Sequence, residues 1–287
     1  MSGDILTLIQ ENLSTFSKGQ KRIAAFILSS YDKAAFMTAS KLGQTTNVSE
    51  STVVRFAAQL GYNGYPEMQK ALQKMIRNRL TSVQRIEVAN DQIGREGVVS
   101  SVLRADIARI RTTLEELDQA SFHRAVDSIL NAKKIYILGV RSSSAISRFL
   151  AFYFNLIFDN VREIDANTIS EVFEQVLRIG DGDVLIGVSF PRYSSRTVKA
   201  MQYAKDQGAA VVAITDSENS PVADHADVVL TAKSDMASFV DSLVAPLSLV
   251  NALIVAVSQK RSKEVATTFS QLEQIWEEYD VYEKIET

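Results

Sequence analysis

Apolar residues between positions 38 and 60 fall on two short helical stripes with a polar turn between them. Leu42 lies in the first stripe, and Val53, Phe56 and Leu60 recur at i, i+3 and i+7 in the second. Thr38 and Ser49 are residue types that cap helix starts, and Asn47 and Val48 stand where the chain must turn. The pattern predicts a helix-turn-helix whose second helix keeps Ser51, Thr52 and Arg55 on its outer face. Short hydroxyls and one Arg near a helix start can enter a major groove and bond bases or phosphates. An ordinary hairpin in a helical bundle has the same periodicity, so pattern alone leaves both readings open.

The neighbouring segments extend the helical region. Residues 18–29 carry Ile23, Phe26 and Ile27 on one side and Lys21 and Arg22 on the other, which predicts an amphipathic helix bracing the pair. Gly61 can take the left-handed conformation that stops a helix, and Pro66 suits the start of the next. Residues 66–80 then place Met68, Leu72 and Met75 inward and Lys70, Lys74, Arg77 and Arg79 outward. From 81 to 97 the apolar pattern weakens, which predicts a linker between a first domain at 1–80 and a second at 98–287. Helices follow at 98–117 and 121–130. The first has apolar residues at Val102, Ile107, Ile110, Leu114 and Leu117, too ragged to define one face, and packs either across a sheet or across a dimer.

Beyond residue 134 the rhythm changes. Continuous apolar runs at 135–140, 161–164, 183–189, 210–215 and 227–230 alternate with helical patterns. Strands buried on both faces read as unbroken apolar runs, so five of them joined by helical crossovers predict a parallel sheet in a three-layer α/β domain. Ligands of such sheets lie outside the carboxyl ends of the strands, where strand order switches. Two of those ends carry anion-binding chemistry. Gly139 is followed by Ser142, Ser143 and Ser144, and the third strand runs into Ser189, Arg192, Tyr193, Ser194 and Ser195. Hydroxyls beside free helix amides receive an anion, although a single such cluster is equally served by plain capping.

Charge sharpens the division. Residues 1–80 hold ten Lys or Arg against five Asp or Glu, leaving 21 and 29 of the chain's 31 and 34 for the remainder. A basic first quarter on an acidic body suits one part approaching phosphate and the other not. The chain has no Cys, and its two His, His123 and His225, are far apart, so no disulfide, thiolate metal site or metal motif is expected. No export signal or uninterrupted membrane span is read, and the expected location is cytoplasmic.

The words VSESTVVRFAAQLGY, with flanks reaching back to residues 21–28 and forward to Tyr65 and Pro66, resemble the N-terminal DNA-binding domain of the RpiR family of bacterial transcriptional regulators. The resemblance implies an all-α helix-turn-helix domain followed by a sugar isomerase (SIS) domain that senses a small ligand, usually a phosphosugar. It implies a double-stranded DNA operator as partner, contacted through Lys41, Thr46, Asn47, Ser49, Ser51, Thr52 and Arg55, and control of sugar metabolism genes. Residues 135–258 resemble the SIS domain: Gly139, Ser142 and Ser143 match its first ligand turn, and Ser189 and Ser194 match the outer hydroxyls of its Ser-X-Ser-Gly-X-Thr loop. Where that loop has its middle Ser and Gly, this chain has Pro191 and Arg192. One hydroxyl is lost and a guanidinium gained, which keeps an anion, phosphosugar or acidic sugar, as the expected effector.

SIS domains also occur in aldose-ketose isomerases, which need a base beside a carbonyl. Glu171, Glu174 and His225 are the residues that would have to serve, each with a plainer role on a solvated helix face or in a loop. The expectation is therefore a non-enzymatic regulator with no cofactor or metal. It is expected to be a homodimer or homotetramer joined through the apolar segment 239–257, which reads as a buried or subunit-interface helix, and the last helix, where Leu272, Ile275, Trp276 and Tyr279 form a stripe.

Overall fold

A computed structural model describes residues 5–76, 83, 85–86, 97–235 and 240–283. The expected linker at 81–97, with Arg77, Arg79 and Phe239, lies almost wholly outside the described residues, as does the side chain of Lys74. The chain divides into two compact units, one running to Val102 and including residues 236–241, the other comprising Leu103–Asp235 and Ser242–Thr287.

The first unit is helical: α1 (Ile5–Glu11), α2 (Lys18–Ser29), α3 (Tyr31–Ala34), α4 (Ala39–Thr46), α5 (Glu50–Gln59) and α6 (Tyr65–Ile76). Its core is formed by the residues that the periodicity marks, with Ile23, Ile27, Leu42, Val53, Phe56, Met68 and Leu72 all fully buried. Phe16 and Phe56 pack as a tilted pair with ring centroids 5.0 Å apart. Several starts and stops have a local cause. Ser17 and Gln20 form a reciprocal capping box on α2, and the Thr38 hydroxyl accepts from the Lys41 amide at the start of α4. Asn47 adopts φ 54° to close α4, and Gly61 at φ 89° follows the end of α5. Tyr65 donates its hydroxyl to the Met37 carbonyl at 2.6 Å, tying α6 to the segment before α4, and burial pushes its pKa up to about 12.

The second unit begins with α7 (Val98–Glu116), whose first turn belongs to the first unit, and α8 (Gln119–Leu130). Then follow β1 (Ile135–Gly139), α9 (Ser144–Ile157), β2 (Val161–Ile164), α10 (Ile169–Val176), β3 (Val184–Val188), α11 (Ser195–Asp206), β4 (Ala210–Thr215), β5 (Val228–Thr231), α12 (Val244–Lys260) and α13 (Ser262–Glu278). The five strands pair in parallel in the order β2-β1-β3-β4-β5. Alternate residues supply opposite faces: Ile135, Ile137, Val184 and Ile186 pack with α8, α9 and α12, while Tyr136, Leu138 and Leu185 pack with α10 and α11. This is the three-layer arrangement that the apolar runs predict.

Two helices take definite positions. Leu249, Val250, Leu253 and Val257 of α12 are buried in this unit's own core, the first of the two roles, buried or subunit-interface helix, that its apolar run allows. In α7 the only buried residues are Arg109 and Thr113, while Ile107, Ile110 and Leu114 are exposed, so the ragged pattern resolves into an outward apolar stripe.

Candidate functional site

The first candidate surface lies on α4 and α5. Ser51 and Arg55 are exposed and Thr52 is half-exposed, as the periodicity requires, and Lys41, Asn47 and Ser49 are at the surface with them. Ser49 does not cap α5 in the expected way. Its hydroxyl bonds the hydroxyls of Ser51 and Thr52, each at 2.9 Å, instead of a backbone amide. The early amides of α5 thus keep their capacity to donate outward, and a chain of three hydroxyls stands beside them. The Arg55 Nε donates to the Ser51 carbonyl at 3.3 Å, which holds the guanidinium along the helix toward its start. Thr46 is a correction: it is 6% exposed and donates to the Leu42 carbonyl at 2.8 Å, so it faces inward and is not placed to meet a groove.

The starts of α2 and α5 open into one concavity of about 550 Å³, lined by Ser17, Gly19, Gln20, Arg22, Val48, Ser49, Thr52 and Arg55. Sequence periodicity assigned α2 only a bracing role. The signal for more was present in the Ser17-capped start with Arg22 one turn in, a cation beside helix amides. Gln20 connects the two helices by donating to Gln59 Oε1 at 2.7 Å.

The second candidate site is at the carboxyl ends of the sheet. β1 and β3 are neighbours, with Gly139 paired to Val188, while β2 lies on the other side of β1, so the chain order reverses there. That is the switch point of this sheet, and it brings together the two clusters expected from sequence. Gly139 is required by space: a Cβ there would lie 2.5 Å from the Ser143 carbonyl oxygen and 2.7 Å from Ser147 Oγ. The turn after it is a single 3-10 turn, Arg141–Ser143, with Arg141 at φ 60°. Ser142 is exposed, whereas Ser143 is buried. On the β3 side Ser189 is 2% exposed and its hydroxyl accepts from the Ser194 amide at 3.1 Å, which shapes the loop between them. Arg192 is exposed at the loop's crest and Ser194 is half-buried at the start of α11.

Two residues absent from the sequence reading join this loop. Asp216, directly after β4, accepts the Tyr193 hydroxyl at 2.7 Å and anchors the loop from the neighbouring strand end. Its position behind the apolar run at 210–215 was the signal. Arg196, in the first turn of α11, donates to the carbonyls of Ala166 and Asn167 at 3.3 and 2.5 Å. The three residues weighed as bases have local roles or positions. Glu171 accepts from the Asn167 and Thr168 amides at 2.7 and 3.4 Å, which holds its carboxyl below the usual range. Glu174 accepts from the Ser170 hydroxyl at 3.0 Å, and His225 ends a 3-10 turn before β5. Among the described residues no cluster of three potential metal ligands is found, and no helix is long and apolar enough to cross a membrane.

Residues 3–79 match the helix-turn-helix domain of the rpiR family, and residues 128–256 match the SIS domain. The chain belongs to the RpiR family. The regulator HexR of Escherichia coli is 28% identical over 79% of this chain and 77% of its own length. An HTH-type transcriptional regulator of Caldanaerobacter subterraneus is 24% identical over 91% of this chain and 93% of its own. The sugar isomerase domain of an RpiR transcription factor from Sphaerobacter thermophilus superposes with a TM-score of 0.59 at 26% identity, covering 61% of this chain and 97% of that one. The Vibrio vulnificus NanR protein, solved with ManNAc-6P, shares the fold over 95% of this chain and 97% of its own, with a TM-score of 0.58 at 22% identity. This RpiR chain is thus a helix-turn-helix transcriptional regulator with an SIS domain.

Proposed function

We propose that this RpiR-type regulator reads a duplex operator with the exposed face of α5 and responds to a small anionic, sugar-derived effector at the β1 and β3 ends. The observation that carries the reading is the hydroxyl chain Ser49, Ser51 and Thr52 with Arg55 on an open helix start. Such a face offers hydrogen bonds to base edges and a cation to phosphate. Arg22 and the start of α2, across the same concavity, take the adjoining backbone phosphates. The DNA contacts are Lys41, Asn47, Ser49, Ser51, Thr52 and Arg55. The effector contacts are Gly139, Ser142, Ser143, Ser189, Arg192, Tyr193 and Ser194. Arg192 favours a phosphate or carboxylate, which it can grip with two parallel hydrogen bonds.

A non-catalytic role is favoured because Glu171, one of the three residues weighed as a base, is engaged with backbone amides and held in its charged form below the usual pKa range. A general base at neutral pH needs the opposite shift. The protein then acts where its operator is, in the cytoplasm, without cofactor. The reading is tested by selecting operator fragments from genomic DNA with the purified chain and titrating them with and without sugar phosphates and acidic sugars. Effector and operator are expected to change each other's affinity by the same factor, about 5 to 150-fold. An operator affinity indifferent to every compound that raises the melting temperature of the protein would remove the sensing part and leave the DNA part standing.

A further inference from the structure

The outward face of α5 is not polar throughout. Val53, Phe56 and Ala57 of this helix are fully buried, but Val54 is 42% exposed. Ser51, Arg55 and Ala58 are exposed with it. Val54 stands three residues after Ser51 and four before Ala58, so these three side chains are neighbours along one side of the outward face. Thr52 and Arg55 fall toward the other side, where they line the concavity shared with α2. The helix therefore presents two flanks. One carries a hydroxyl and a guanidinium, and the other carries a branched aliphatic side chain beside the small methyl of Ala58.

We propose that Val54 is a specificity-determining residue for the operator, seated against the C5-methyl group of a thymine in the major groove. This rests on the reading of α5 as the operator-facing helix, and it names a base that the operator must contain. The chemistry of the groove leaves one occupant. Base pairs present hydrogen-bond donors and acceptors there, and the thymine methyl is the only apolar group among them, so it is the feature an isopropyl side chain can cover. Laid over the amino group of cytosine instead, the same side chain would displace water without returning a hydrogen bond, which costs affinity. Val54 thus selects thymine both by the methyl it covers and by the polar edge it rejects. Its stiffness assists: a β-branched side chain on a helix holds nearly one rotamer before binding and loses little freedom on contact. The neighbours are compatible with close approach. Ala58 is too short to hold the helix off the groove floor, and the Ser51 hydroxyl can donate to or accept from an adjacent base.

Exchange of thymine for uracil removes that methyl and leaves the pairing edge intact, so it isolates the contact. Operator duplexes carrying uracil in place of one thymine at a time are titrated with the full chain by fluorescence anisotropy. With the parent protein, at least one exchange is expected to raise the dissociation constant about fourfold, the worth of one buried methyl. Val54→Ser and Val54→Gln should each bind the unmodified operator more weakly and respond to that same exchange by less than about twofold, the coupling that a double-mutant cycle reads. Both variants should melt with the parent because the site is exposed. An operator in which no thymine methyl matters overturns the contact. So does a methyl effect that persists undiminished in both variants, which would place it in the deformability of the DNA. Arg55→Ala separates this inference from the reading beneath it. If that variant also leaves operator binding unmoved, α5 is not the reading helix and both fall; if it weakens binding while no methyl matters, the thymine contact falls alone.

Discussion

Two helix starts in this RpiR chain use the same chemistry in opposite settings. At α5 the hydroxyls of Ser49, Ser51 and Thr52 bond one another at the surface, with Arg55 lying over them. At α11 the Ser189 hydroxyl is buried and bonded to the Ser194 amide, and Tyr193 is anchored by Asp216. The first is a solvent-facing array beside the concavity shared with α2, on the surface proposed for the operator. The second stands at a switch in strand order with Ser189 buried beneath it, on the surface proposed for the effector. The residue types are alike, and it is the setting that separates the two proposals.

That contrast can be broken most sharply at Arg55. Arg55→Ala is expected to weaken operator binding about tenfold or more and to flatten its salt dependence by about one counterion, while effector-induced stabilisation stays unchanged. Fluorescence anisotropy across a salt series checks both halves. Gly139→Ala should act on the other site alone. Its Cβ meets backbone at 2.5 Å, so a cost of about 1–3 kcal/mol is expected, read as a drop of roughly 5 °C in the melting of the second unit with the DNA-binding surface intact. Ser189→Ala removes the acceptor of the Ser194 amide and should abolish the effector-induced thermal shift at a stability cost of about 1 kcal/mol, sparing basal operator binding. Ser17→Ala breaks the α2 capping box and should cost about 1 kcal/mol in the first unit only, seen as faster amide exchange in α2.

The smallest effect expected is one of pH. Asp118 caps α8, and the hydroxyl and amide of Ser121, then the amide of Ala120, hold its carboxyl below the usual range. A depressed pKa contributes stability that is complete above the unfolded carboxylate value and is lost as pH falls through the folded one. Asp118→Asn should therefore lower stability slightly at neutral pH, where the charged cap contributes, and converge with the parent below about pH 4, so that its acid limb is flatter. Urea melts at pH 3, 4 and 7 read the difference.

Much of this was legible in the sequence because burial on both faces writes strands as unbroken apolar runs. The observed strands 135–139, 161–164, 184–188, 210–215 and 228–231 differ from the runs by at most a residue or two at their ends. Val53, Phe56 and Leu60 likewise identify the inner face of α5, which fixes Ser51 and Arg55 outside. What failed were inferences in which tertiary contacts choose among locally equal options. Thr46 has a surface residue's chemistry but finds a carbonyl one turn back and a buried position. Ser49 has a capping residue's type but its neighbours' hydroxyls compete for it. Periodicity in α7 marks an apolar side without saying whether that side meets its own sheet or faces outward. Thr113 and Asp106 decide it through Lys233 and Ser242, partners 120 and 136 residues away. The link from Tyr193 to Asp216 spans two strand ends and has no local signature.

Arg196 has a mechanical consequence. Its guanidinium clamps the first turn of α11 to the Ala166 and Asn167 carbonyls, in the loop that leaves the edge strand β2. A helix start stapled in this way does not recoil alone. A ligand that draws Ser194 inward drags the far rim of the sheet with it, so that tension applied at the centre is delivered two strands away.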